Sequence, residues 1–135
     1  MLQFFSASTR LVNTRRGITE CMESALGHET DSCDLVIIHA SLGHNFNELL
    51  DETKRLAPNA EVVAASCCGI VGKEGVSESM KDIAIMAIKG KEFGLSWVPG
   101  IYGENSYEKS REMAEDLYRK RPDTRFIYLM APGID

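Results

Sequence analysis

The sequence is short of the features that mark several large protein classes. Its longest purely aliphatic stretch, residues 83–88 (IAIMAI), falls far below the roughly 20 residues that cross a bilayer as a helix. No basic region precedes Phe4 and Phe5, and Ser6, Ser8 and Thr9 follow them, so the start does not read as a signal peptide. Dense Lys/Arg blocks are also missing. With 15 basic against 20 acidic residues and a formal charge of -5, nucleic acid is excluded as an expected partner. Cysteine is scarce: four residues in 135, two of them the neighbours Cys67 and Cys68, with no CxxC spacing. Small secreted folds use cysteine more densely, and adjacent cysteines bridge each other poorly, so a reducing, cytoplasmic location is expected. There is no internal repeat and no low-complexity segment.

What is present is a globular composition, with 44% hydrophobic residues in a length that suits one domain. Short apolar runs alternate with helical patterns, which predicts an α/β fold with helices packed on a sheet. Residues 2–7 read as a first strand. Asn13 or Thr14 caps a helix whose Ile18, Cys21, Met22 and Ala25 recur at helical spacing, and Gly27 ends it. Residues 33–40 (CDLVIIHA) form a nearly unbroken apolar run, the pattern of a central strand covered on both faces. A helix over 45–57 follows, with Phe46, Leu49, Leu50, Thr53 and Leu56 on one stripe, and Pro58 stops it. Residues 61–66 (EVVAAS) make the next strand, so 33–66 is one parallel βαβ unit.

Beyond it the pattern changes. Residues 67–80 carry Gly69, Gly72 and Gly75 without periodicity and read as a long loop. Residues 82–89 and 93–98 read as an antiparallel hairpin joined by Lys89, Gly90, Lys91 and Glu92. Asn105 and Glu108 have the spacing of a capping box for a helix over 106–121, and 125–130 (RFIYLM) reads as a further strand. The predicted architecture is therefore a mixed sheet with a parallel βαβ core and an antiparallel hairpin. A final strand followed by residues 131–135 (APGID) leads us to expect one domain over 1–135 that continues further.

Ligands of open α/β sheets usually bind at loops following the strands. The loop opening Ser66-Cys67-Cys68-Gly69 offers close backbone approach, N–H groups and small polar side chains. A long connection also needs glycines simply to turn, and loops beyond about 12 residues are often functional. The stretch is not a P-loop, because Cys67 stands where that motif needs Gly, and Glu74 where it needs Ser or Thr. Cys67 or Cys68 could serve a thiol enzyme or redox switch with Lys73 as the nearby cation, against ordinary packing of a buried thiol. His39 and His44 are candidate haem or metal ligands, although their spacing matches no zinc signature, and both also fit as structural histidines.

The stretch from Cys33 to Gly90 resembles the N-terminal FIST domain. In that family a hydrophobic strand ending in a small residue, here Ala40 and Ser41, leads to a helix and a second strand. That strand enters a loop of the kind seen at Ser66, Cys67, Cys68 and Gly69. Ser6 to Ala25 fits the preceding segment; Ala65 departs from the glycine common before the loop. The resemblance implies an input module of intracellular signal transduction. It would bind a small ligand, an amino acid or metabolite, without covalent chemistry, and act with a C-terminal FIST region and a downstream signalling protein. No enzymatic activity is expected. Ser41, His44, Ser66, Cys67, Cys68 and Gly69 are the expected ligand-binding residues, with loops 41–45, 66–75 and 99–105 forming the mouth. Some family members are haem-binding nitric oxide sensors, which makes haem at His39 or His44 the alternative cofactor.

Overall fold

The computed structural model describes residues 1–72 and 75–130, which fall into two compact units, Met1–Lys91 and Glu92–Asp135. The first contains, in chain order, β1 (Gln3–Thr9), α1 (Thr14–Leu26), a turn of 3-10 helix (Thr30–Ser32), β2 (Leu35–Ser41), α2 (Phe46–Leu56), β3 (Glu61–Cys67), β4 (Ile70–Gly72), β5 (Gly75–Ser77) and β6 (Ile83–Lys89). Four of the strands form one sheet in the order β1-β6-β2-β3. β6 runs antiparallel to both neighbours, while β2 and β3 are parallel. This is the mixed α/β sheet the sequence pattern predicts, with the βαβ unit running from the inner strand β2 to the edge strand β3.

The core sits under the helices. Alternate residues of β2 (Val36, Ile38, Ala40) and β6 (Ile83, Ile85, Ala87) meet Ile18, Cys21 and Met22 of α1 and Leu49 of α2, the two-residue period of a strand facing the helical period of its cover. Leu35, Val36, Ile37 and Ile38 are all at most 8% exposed, so β2 is buried on both faces, in keeping with its unbroken apolar run. Each helix starts on an asparagine: Asn13 Oδ1 accepts from Arg16 N at 3.0 Å, and Asn45 Oδ1 from Asn47 N at 3.0 Å and Glu48 N at 3.2 Å. The buried stripe of α2 is rotated from the expected one. Leu50 is 38% exposed and Glu52 is 6% exposed. A carboxylate is tolerated there because Arg55 (2.6 Å) and Thr19 (2.9 Å) donate to it.

Three sequence expectations change. Residues 93–98 form no strand and make no hairpin with β6, whose two edges are already taken by β1 and β2. The long loop 67–80 is not all loop, since β4 and β5 pair antiparallel within it, Val71 opposite Val76. Residues 125–130 are not in a strand, and Phe126, Ile127, Tyr128 and Leu129 are 52–81% exposed.

In the second unit α3 (Ser106–Lys120) has no buried residue. Ser96 Oγ donates to Asp116 at 2.8 Å and Lys120 Nζ to Leu95 O at 2.9 Å. The capping box does not form: Asn105 Oδ1 accepts from Tyr102 N at 2.8 Å instead of from the helix backbone. Among the described residues no helix is long and apolar enough to cross a membrane.

Candidate functional site

Parallel pairing brings the carboxyl ends of β2 and β3 to one rim, with Ser41 directly opposite Cys67. β6 runs the other way, so its first residue, Ile83, lies at the same rim, opposite both Thr9 and Ala40. The turn after β2, the bend after β3 and the segment leading into β6 therefore converge.

Ser41 is 1% exposed. Its Oγ donates to Ser79 O at 2.7 Å and its N–H to Asp82 O at 2.9 Å. Next to it, a Cβ on Gly43 would stand 2.0 Å from Met80 O, so only glycine lets the two segments come this close. Similarly, a Cβ on Gly69 would meet Ser77 O at 2.7 Å, which fixes the bend after β3 against β5. Ser66 and Cys68 are exposed; Cys67 and Gly69 are half-buried.

His44 is 5% exposed. Its N–H donates to Ser41 O at 3.1 Å and its Nδ1 lies 3.1 Å from Thr14 Oγ1, the first residue of α1. Its Nε2 is buried and has no partner among the described residues. His39 is half-buried and alternates with Ile38 and Ala40, so it faces away from the helices, whereas the His44 ring rests on a helix start. The fold does not bring the two imidazoles together as a pair of ligands. No group of three or more His, Cys, Asp or Glu residues among the described residues could hold a metal ion.

Burial pushes the Cys67 thiol up, and the Asp82 carboxylate adds to this, against opposing hydrogen bonds from the Gly69 backbone and Ser41. A nucleophilic or redox-sensing thiol needs the opposite shift. Lys73, the cation expected to supply it, lies outside the described residues. Burial raises Cys33 as well and pushes Cys21 up to about 12, as suits packed structural thiols.

Sequence reasoning missed Asp82. It is fully buried at the rim, accepting from Ser77 Oγ at 2.7 Å and Ser79 N at 2.8 Å, with Arg10 Nε 4.0 Å away. The available signal was an acid placed directly before an apolar strand, with serines three and five residues upstream able to satisfy it locally. Two surface depressions lie elsewhere, one along α1 beside Leu11, Arg15, Thr19 and Glu52, the other in the second unit beside Trp97 and Asp116. Neither is lined by Ser41, His44, Ser66, Cys67, Cys68 or Gly69. Residues 99–105 belong to the second unit.

A family model for the FIST N domain matches residues 34–135, which takes in the βαβ unit, the bend after β3 and everything that follows. The chain belongs to the FIST N domain family. FIST domains are sensory domains of signal transduction, and that class of role is what membership gives. The comparison with curated proteins gives no match to this FIST N domain. Among solved structures, the FtsZ dimer of M. jannaschii, described as empty, is similar with a TM-score of 0.39 at 12% identity. The likeness covers 74% of this chain and 34% of that one, so the chain spans about a third of its length.

Proposed function

We propose that this FIST N domain binds a small polar metabolite, an amino acid being the class its family resemblance implies, at the rim where β2 and β3 end. The observation that carries the reading is the pairing of Ser41 with Cys67 at the carboxyl ends of two parallel strands, directly before a bend that Gly69 presses onto β5. Open α/β sheets bind ligands at such ends because backbone N–H groups and short side chains converge there without crossing the core. Ser66 and Cys68 are the accessible contacts. Ser41 and Cys67 pair beside them at the rim, and His44 follows in the turn after β2.

The binding is non-covalent. Occupancy shifts the population between two arrangements of the turn after β2 and the bend after β3, and a C-terminal FIST region and a cytoplasmic signalling partner receive the change. Thermal unfolding of the full chain against a panel of amino acids and central metabolites tests this. The matching ligand raises the midpoint according to RT ln(1+[L]/Kd), and Ser66→Trp, which crowds the exposed contact, abolishes the rise. A flat panel sinks the reading. Haem belongs in the same panel: an absorbance band lost in His44→Ala would replace the metabolite reading by a haem sensor.

A further inference from the structure

The place where α1 and α2 begin holds a buried ring nitrogen, His44 Nε2, with no hydrogen-bond partner among the described residues. Thr14 Oγ1 lies 3.3 Å from Asn45 N and 3.1 Å from His44 Nδ1. The Asn45 N–H can only donate to it. When the Thr14 hydroxyl gives its proton to His44 Nδ1, the neutral ring carries its own proton on Nε2. In that arrangement the buried Nε2, which has no partner among the described residues, is an N–H donor lacking an acceptor, a costly state that calls for an occupant.

Its surroundings select the charge of that occupant. Both helices present their positive N-terminal ends close to the ring. The first turn of α1 has no acidic residue and contains Arg15 and Arg16. Arg15 is shared with Glu52 at 3.8 Å, and α2 contributes one acid in its first turn, Glu48. Asn13 and Asn45 satisfy the N–H groups of residues 16, 47 and 48, which leaves those of Thr14, Arg15 and Phe46 without an intrahelical acceptor.

We propose that the ligand presents an oxyanion, a carboxylate or a phosphate group, to the junction of the α1 and α2 N-termini, where His44 Nε2–H donates to it. This rests on the reading of His44 as part of the rim site and names the ligand group it takes. Thr14 is a positioning residue, acting through the tautomer it imposes on His44.

The test is a long-range ¹H–¹⁵N spectrum of the histidine rings in the full ¹⁵N-labelled chain, titrated at constant ionic strength with sodium phosphate, sodium acetate or sodium chloride. The expected result is a protonated Nε2 on His44 that shifts saturably with phosphate or acetate and not with chloride. A response to acetate alone identifies a carboxylate ligand, and a response to phosphate alone a phosphorylated one. His44→Gln weakens the binding about tenfold, roughly the loss of one charge-assisted hydrogen bond, and Thr14→Val weakens it while turning the ring to the other tautomer. An unprotonated Nε2, or a His44 signal that neither anion moves, overturns the proposal. If His44 stays silent while the metabolite panel still raises the unfolding midpoint, only this subsite fails; silence in both removes the rim site as well.

Discussion

The two units use similar sequence material to different ends. β1 (QFFSAST) and residues 125–130 (RFIYLM) are both short, aromatic and able to form strands, yet β1 pairs along all seven residues with β6, while 125–130 is not in a strand. Likewise α1 buries five residues and α3 none, although both carry an apolar stripe. The difference teaches that strand and helix propensity only nominate a segment; a ladder edge or an apolar face opposite decides what it becomes. β6 satisfies two ladders at once and the first unit condenses around it.

Substitutions can break or sharpen that contrast. The largest effect is expected at Ile38, fully buried in β2: Ile38→Ala should cost about 2–5 kcal/mol in urea unfolding. Tyr107→Ala on α3, at a side chain 78% exposed, should stay within about 0.5 kcal/mol, and comparable losses at both positions would refute the asymmetry. Next comes Gly43→Ala, which drives a methyl into Met80 O and should lose about 1–3 kcal/mol as overpacking. Urea midpoints likewise check the caps: Asn13→Ala and Asn45→Ala should each cost about 1 kcal/mol. Asn105→Ala should cost less, because that side chain does not cap its helix.

The smallest effect is a pH dependence carried by Glu52 in the first unit. Hydrogen bonding from Arg55 is the main cause holding the Glu52 carboxyl below its ordinary value of 4.5, with Thr19 and Arg15 assisting against burial. A depressed carboxyl stabilises the fold fully above its unfolded value and loses that contribution as pH falls through the folded value. Glu52→Gln should therefore show a smaller drop in unfolding midpoint between neutral pH and pH 3 than the parent chain. Equal drops in both would show that Glu52 is not coupled to folding.

Legibility in the sequence followed the same physics. The βαβ unit could be read because β2 and α2 announce themselves through an apolar run and a capped helix, and the sharp stop at Pro58 makes the return strand unambiguous. That the turn after β2 and the bend after β3 share one rim followed from that topology, since parallel strands must end on the same side, while the choice of ligand-binding residues there came from the family resemblance. The partners of β6 were not legible: a four-residue link to residues 93–98 looks like a local hairpin, and nothing local reveals that β1, some eighty residues upstream, takes that edge. β4 and β5 were hidden because three residues with glycines show no period. Asp82 was overlooked because a buried carboxylate is visible only through its donors, and the unmet nitrogen of His44 appears only once the fold brings Thr14, the start of α1, to the turn after β2.

The closeness of Gly43 to Met80 has a mechanical side. With Ser41 tied to both Ser79 and Asp82, the stretch after β2 and the stretch before β6 are fastened at three successive points and have little freedom to slide apart. Any force that shifts the first is delivered to the head of β6, a stiff rod seven residues long. At its far end the N–H of Gly90 rests on the carboxylate of Asp34. β6 thus joins the rim to the opposite end of the sheet within the first unit.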